Sequence, residues 1–209
     1  MPASERHPVF ARLYPRLSRR SEQSGGTEHR RALVGGLRGR VLEVGAGHGL
    51  NFAYYPTTVT QVVAVEPEPY LRQLAMTAAA RAPVPIEVRE GTAEALPAGD
   101  GEFDAAVVSL VLCSVPDQLV ALREIARALR PGGELRFYEH VVSSRPPIAR
   151  VQRLLDATIY PHLAGGCHAA RDTGATIRQA GFRVQDENRV EFTKGRLEPA
   201  HILGIAIRP

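Results

Sequence analysis

The sequence predicts a doubly wound α/β domain of seven strands with helices on both faces, and three observations carry that prediction. The stretch Val41–Gly49, Val-Leu-Glu-Val-Gly-Ala-Gly-His-Gly, is a short apolar strand running into a glycine-rich turn. Strand, glycine turn and helix together form the entry unit of nucleotide-binding α/β domains. From Arg40 onward, apolar runs of strand length alternate with amphipathic helical stretches. Phe103–Leu112 is a long apolar run of the kind that fills a central parallel strand buried on both faces. At 209 residues the chain is most simply one domain, able to bury roughly 70% of its extended-chain surface.

Ahead of the sheet, Val9, Phe10, Leu13, Tyr14 and Leu17 fall at helical spacing, with Arg12, Arg16, Arg19 and Arg20 between and after them. Such a helix can pack on the sheet, form a lid over a ligand, or rest its Arg-flanked apolar face on a membrane surface. Ser21–Gly26 reads as a turn-rich break, and Thr27–Leu37 as a second helix ending at Gly39. Strand one is Val41–Val44, and Asn51–Tyr55 looks like the opening of a helix. Strand two, Thr60–Val65, ends in Glu66-Pro67. A helix over Glu68–Arg81 then places Leu71, Leu74, Ala75 and Ala78 on one face. Strand three is Ile86–Arg89, after the Pro83/Pro85 break, and strand four is Phe103–Leu112. A helix over Asp117–Leu129 carries Leu119, Leu122, Ile125, Ala126 and Leu129 on its apolar face. Arg130-Pro131-Gly132-Gly133 stops it, because proline cannot extend a helix and glycine supplies the turn. Strand five, Leu135–Tyr138, leads into Glu139-His140. Residues 146–180 read as helical in two pieces split near Pro161–Gly166, and Phe182–Gln185 and Ile202–Ile207 are the last strands. Helices between the first five strands make right-handed crossovers and cover both faces of the sheet.

Composition narrows the function classes. The formal charge of +4 comes from 26 basic and 22 acidic residues, and every basic residue but Lys194 is an arginine. The arginines are scattered, with local clusters at Arg12–Arg20 and Arg30–Arg40 and no long stripe interleaved with aromatics, so no nucleic-acid partner is expected. The N-terminus lacks the apolar core of a signal peptide, and no apolar run approaches the roughly 20 residues of a membrane span. Cys113 and Cys167 are too few for a disulfide framework, so a reducing cytoplasm is expected.

The glycine spacing is informative. A dinucleotide fingerprint needs glycine at its sixth position, where this chain has Leu50. The pattern is instead Glu-x-Gly-x-Gly-x-Gly, with Glu43 on the strand two residues before the turn. Glu66 ends strand two, 17 residues after Gly49, where a carboxylate can accept hydrogen bonds from two ribose hydroxyls. Gly45 and Gly47 let the backbone approach a flat, charged ligand.

These residues resemble motif I of the class I S-adenosylmethionine-dependent methyltransferases (methyltransferase type 11 domain). Three further stretches follow in the family's order. Gly91-Thr92-Ala93-Glu94-Ala95-Leu96-Pro97 resembles its adenine-side loop, with Thr92 in place of the usual acidic residue. Phe103-Asp104 through Ser109-Leu110 resembles its fourth-strand motif, and Leu129-Arg130-Pro131-Gly132-Gly133 its post-strand turn. The resemblance implies a Rossmann-like sheet, mostly parallel with an antiparallel last strand. It also implies S-adenosyl-L-methionine as cofactor and S-adenosyl-L-homocysteine as product. The cofactor contacts it implies come from Tyr14, Glu43, Gly45, Ala46, Gly47, Asn51, Glu66, Pro67, Thr92, Ala93, Glu94, Ser109 and Leu110. In this role Glu43 faces the ligand mouth and offsets the positive amino and sulfonium groups.

Leu110-Val111-Leu112-Cys113-Ser114-Val115, Glu139-His140-Val141, Gly166-Cys167 and His201-Ile202-Leu203-Gly204 resemble the methyltransferase-like 7 group, whose members methylate small thiols. Carried over, Cys113, Glu139, His140 and Cys167 mark the acceptor side, and His140 is the candidate base. Cys113 and Cys167 read as buried apolar cysteines or, alternatively, as a pair around a soft metal or arsenite. The expected partner is a small-molecule methyl acceptor, met by a monomer or homodimer without stable membrane insertion. An O-, N- or C-methyltransferase of a small metabolite, a nucleic-acid methyltransferase and a non-catalytic binding module stand as alternatives. Residues 1–39 are assigned to a helical lid, 40–141 to the cofactor core, and 142–209 to the acceptor-side helices and last two strands.

Overall fold

The structure is a computed structural model that describes residues 8–21, 25–190 and 200–209. In chain order its elements are α1 (Pro8–Ser21), α2 (Thr27–Val34), β1 (Gly39–Val44), a single 3-10 turn (Phe52–Tyr54), β2 (Val59–Val65), α3 (Pro69–Ala79) and β3 (Ile86–Arg89). There follow β4 (Phe103–Ser109), α4 (Gln118–Ala128), β5 (Leu129–Val141), α5 (Pro146–Asp156), α6 (Tyr160–Leu163), α7 (Thr173–Gln179), β6 (Arg183–Val190) and β7 (Ala200–Ile207). The seven strands pair in the order β3-β2-β1-β4-β5-β7-β6. β1 to β5 run parallel, and β7 is antiparallel to both of its neighbours. The expected sheet, mostly parallel with an antiparallel last strand, is the one observed.

The alternation of side chains along each strand divides the core into two layers. On one face Val41, Val62, Ala64 and Val107 pack with Leu33 and Val34 of α2 and Ala75 of α3. On the other, Leu42, Val63, Val65 and Val108 pack with Leu122 and Ile125 of α4 and Ile177 of α7. β1 and β4 lie at the centre and are buried on both sides, which is why β4 carries consecutive apolar residues from Ala105 to Val108. Ile125 is fully buried, so cutting it back to alanine costs about 2–5 kcal/mol. α4 starts where Asp117 caps it, accepting hydrogen bonds from the N–H groups of Leu119 and Val120 at 2.8 and 3.1 Å.

Several boundaries differ from the sequence reading, each for a local reason. β4 ends at Ser109 rather than Leu112, because Leu110 takes φ +59° and turns the chain off the sheet. Pro131-Gly132-Gly133 does not separate α4 from a short strand; it bulges within β5, which runs continuously from Leu129. Phe103 pairs with Leu129 and Ala105 with Glu134, so the residues between are extruded. A bulge is where a strand tolerates proline. The helix expected at Asn51–Tyr55 is one 3-10 turn, halted by Pro56. No helix joins β3 to β4; a loop with Thr92 bridged to Ala95 does so. Residues 146–180 form three helical pieces rather than two. Pro161 starts the short α6 instead of breaking it, and the left-handed Gly165 and Gly166 end it. α2 stops at Val34, three residues short of Leu37, and β6 extends to Val190. Within the expected break at Ser21–Gly26, residues 22–24 lie outside the described residues, as does Lys194. Among the described residues, no helix is long and apolar enough to cross a membrane.

Candidate functional site

The carboxyl ends of β1, β2, β4 and β5 open into one cavity of about 710 Å³. The glycine turn after β1 forms its floor. The N–H groups of Gly45 and Ala46 both donate to the Val65 carbonyl, at 2.8 and 3.0 Å, which ties the turn to the end of β2. Gly45 holds φ +67°, and a Cβ there would stand 2.5 Å from Val111 Cγ2, so no other residue fits. Gly47 holds φ +58°, and its N–H donates to Glu66 Oε2 at 2.7 Å, while the N–H of Glu68 donates to Oε1 at 2.9 Å. Each Glu66 oxygen therefore keeps acceptor capacity for one more donor. A cis-diol meets that arrangement; a phosphate does not, since like charges repel. Burial raises the Glu66 carboxyl to about 7, against the pull of those two N–H groups.

Tyr14, Gly45, Gly47, Glu66, Pro67, Thr92, Ala93, Glu94, Ser109, Leu110 and His140 all line this cavity. Glu43, Ala46 and Asn51 do not. They line a small adjoining space of about 20 Å³ beneath the turn. Glu43 is buried, and its carboxyl accepts from Asn51 Nδ2 at 2.9 Å and from the Tyr55 hydroxyl at 2.6 Å. Burial raises it to about 7, with the Tyr55 and Asn51 hydrogen bonds pulling the other way. The direct approach to a ligand expected of Glu43 is thus corrected: strand alternation turns it inward, and it reaches the cavity only through its neighbours.

One of those neighbours is Arg30, which the sequence reading took as part of a scattered cluster. Its guanidinium, 5% exposed, donates to Asn51 Oδ1 at 2.9 Å and Ser109 Oγ at 3.0 Å. It links the helix before β1 to the turn after β1 and the end of β4. The available signal was positional, since Arg30, Leu33 and Val34 share the buried face of α2 at i, i+3, i+4 spacing.

α1 closes the cavity over the glycine turn through Phe10, Ala11, Tyr14, Leu17 and Ser18. The Tyr14 ring meets His48 edge-on at 5.5 Å between centroids, and Ser18 Oγ lies 3.4 Å from His48 Nε2. Phe10 packs on Gly165, where any Cβ would fall 2.3 Å from the ring. α1 thus touches both the turn and the 160–171 segment.

The far end of the cavity is built from two loops and the end of β5. Leu110 turns the chain after β4, and the next three N–H groups, of Val111, Leu112 and Cys113, point at Glu139. Its Oε1 accepts at 2.9 and 3.0 Å and its Oε2 at 3.2 Å. Glu139 is fully buried, and burial raises its carboxyl against the pull of those N–H groups. Glu139 therefore anchors the loop and does not reach an acceptor. His140 Nδ1 lies 3.7 Å from Cys113 Sγ and 3.3 Å from Cys167 Sγ. The Cys113 thiol is pushed well above its ordinary value, first by its contact with Cys167 and then by burial. Tyr160, unremarked in the sequence, brings its phenol against Cys167, and burial raises it as well. The His168 N–H donates to the Cys113 carbonyl at 2.7 Å, and Arg171 donates to the carbonyls of Leu112 and Val115 at 2.8 and 2.7 Å. These bonds tie the two loops together.

The site thus pairs a cradle for a nucleoside with an enclosed end bearing a half-buried imidazole. The family described as methyltransferase domain matches residues 42–137. Thiol S-methyltransferase TMT1B of Rattus norvegicus is 35% identical over 174 residues, covering 80% of this chain and 70% of that protein. Thiol S-methyltransferase TMT1A of Homo sapiens is 32% identical over 173 residues, with the same shares of each chain. Among solved structures, an S-adenosylmethionine-dependent methyltransferase of Methanosarcina mazei superposes with a TM-score of 0.64 at 22% identity, over 81% of this chain and 92% of that one. The cradle at Gly45–Gly47 and the twin acceptors of Glu66 fit the adenosine half of that cofactor. The chain belongs to the S-adenosylmethionine-dependent methyltransferases, the family it shares with TMT1B and TMT1A, and S-adenosylmethionine is its cofactor.

Proposed function

We propose that this methyltransferase acts on the sulfur of a small thiol. The observation that carries the reading is kinship of 32–35% identity with two thiol S-methyltransferases, over about 80% of the chain. In it Gly45, Gly47 and Glu66 seat the nucleoside, while Pro67, Thr92, Ala93 and Glu94 border the base. Tyr14, Ser109 and Leu110 border the rest of the donor, and Ala46, Asn51 and Glu43 support the turn from below. When bound, S-adenosylmethionine supplies a methyl group already activated for in-line displacement. What remains for the protein is positioning, where gains reach about 7–11 kcal/mol, and a modest deprotonation.

A thiol with a free pKa near 8.5 is about 3% thiolate at pH 7, a cost of about 2 kcal/mol. A phenol near 10 costs about 4 kcal/mol and needs a base more. His140 stands at the carboxyl end of β5 inside the cavity, where it takes the acceptor's proton. α1 and residues 160–171 exclude water around it. Residues 1–39 act as the lid, 40–141 hold the cofactor, and 142–209 shape the acceptor end. Two buried, free cysteines in such a site suit a reducing compartment such as the cytoplasm.

The test is incubation of the protein with labelled methyl donor and a panel of small thiols, phenols, amines and RNA. Label is expected in methyl thioethers. Label confined to oxygen or nitrogen products, or to RNA, overturns the reading.

A further inference from the structure

We propose that Cys113, His140 and Cys167 form a binding site for one thiophilic divalent cation, with zinc as the fitting ion. The three donors come from separate elements: the loop after β4, the end of β5, and the loop between α6 and α7. Cys113 Sγ, Cys167 Sγ and His140 Nδ1 lie within 4.8 Å of one another. Zinc holds sulfur at ~2.3 Å and imidazole nitrogen at ~2.0–2.1 Å in a tetrahedron, so its S···N edges measure roughly 3.6 Å. The observed edges, 3.3 and 3.7 Å, fall on either side of that value.

The donors are braced by bonds that need no ion. Glu139 holds the Cys113 N–H, and the Cys113 carbonyl accepts from His168 in the Cys167 loop. Two sulfurs and an imidazole select zinc or another soft cation over magnesium or calcium. All three residues line the cavity, so a fourth position faces the space where an acceptor would lie. Three protein ligands with one open position are the pattern of reactive zinc sites, not of closed structural ones. On binding, the two thiols lose their protons to solvent and ligate as thiolates, leaving a neutral unit with the divalent ion.

A consequence for turnover follows, and it rests on the function proposed above. A cation on Nδ1 leaves the other ring nitrogen of His140 as N–H, with no lone pair to accept a proton. Loading the site therefore takes His140 out of use as a base, which slows methyl transfer to acceptors that do not ligate the ion, while leaving donor binding intact.

The experiment is titration of the reduced, chelator-stripped full chain with cobalt(II) and then zinc, without methyl donor or acceptor. One equivalent of cobalt is expected to give thiolate-to-cobalt charge-transfer bands with tetrahedral visible bands, and zinc to abolish them. Cys167→Ser and Cys113→Ser should each diminish the charge-transfer band. His140→Ala should weaken binding by at least the roughly 10- to 100-fold that loss of even an outer-shell partner costs. Donor binding by each variant certifies its fold. Absence of the charge-transfer band in the wild-type chain overturns the proposal whatever the variants do, and so does its persistence in the Cys113→Ser/Cys167→Ser double variant. In the turnover arm, a zinc-loaded chain that transfers methyl at the zinc-free rate removes the inhibitory role. A chain inactive on every thiol even without zinc refutes the function reading and leaves the titration result standing.

Discussion

Glu66 is the residue at which the cofactor half of the site is most sensitive to pH. Burial has raised its carboxyl to about 7, yet holding a ribose diol needs both oxygens as acceptors. Below that value the carboxyl is protonated and one oxygen becomes a donor. Donor affinity is thus full above pH 8 and falls as the pH drops through 7, steepening toward roughly tenfold per unit. Glu66→Gln should weaken binding at pH 8 by about 1.5–3 kcal/mol, roughly 10- to 100-fold, and flatten most of the pH dependence; calorimetric titration of the donor measures both. His140 carries the corresponding prediction at the acceptor end. His140→Ala should lower turnover by at least roughly tenfold, within the range of lost general-base catalysis, with donor affinity nearly unchanged in equilibrium binding. Unchanged turnover at neutral pH would remove it from the mechanism. The glycines were legible in sequence because a few adjacent residues define their turn, and Glu66 because it ends the next strand, 17 residues after Gly49. Arg30 and Tyr160 were not, since their partners lie at Asn51, Ser109 and Cys167, and no local pattern announces a contact made across the fold.

At the scale of elements, the loop after β4 depends on the strand beside it. Three successive N–H groups converge on the Glu139 carboxylate, and each buried donor left without an acceptor costs about 1–3 kcal/mol. Glu139→Ala should therefore destabilise the protein by about 3 kcal/mol or more. For a chain of this size that lowers Tm by roughly 6–12 °C, readable by thermal unfolding, and hydrogen exchange should quicken at residues 111–113. α1 carries a second element-scale prediction. Gly165→Ala places a methyl group into the Phe10 ring and forces an alanine to φ +61°. The left-handed conformation alone costs roughly 1–2 kcal/mol, and the displaced α1 should weaken donor binding. Donor affinity equal to wild type would dissociate α1 from the cavity. Elements whose periodicity is internal, such as β2, β3, α3 and α4, were legible to within a few residues. β4 and β5 were misjudged because their ends are set by a left-handed leucine and a bulge, both imposed by neighbours. The apolar run Leu110–Leu112 continues past the strand because Leu112 enters the core and Leu110 and Val111 pack, half-buried, against it.

The whole molecule is an open sheet whose strand order, β3-β2-β1-β4-β5-β7-β6, puts the glycine turn at the end of β1 and His140 at the end of β5, on either side of β4. Neighbouring strands β1 and β4 open the crevice where ligands of such sheets bind. The cofactor half could be read from the chain because the order of its motifs is the order of its strands. The acceptor half is assembled by α1, the loop after β4, and residues 160–171, which are remote in sequence and meet only around the cavity. This leaves the accepting atom as the central claim. The most direct measurement offers the enzyme one small molecule bearing both an aliphatic thiol and a phenol, and identifies the methylated product by mass spectrometry. The S-methyl product is expected, formed at neutral pH and at least roughly tenfold more slowly on replacing His140. An O-methyl product as the principal species, or no transfer to either group, would contradict it.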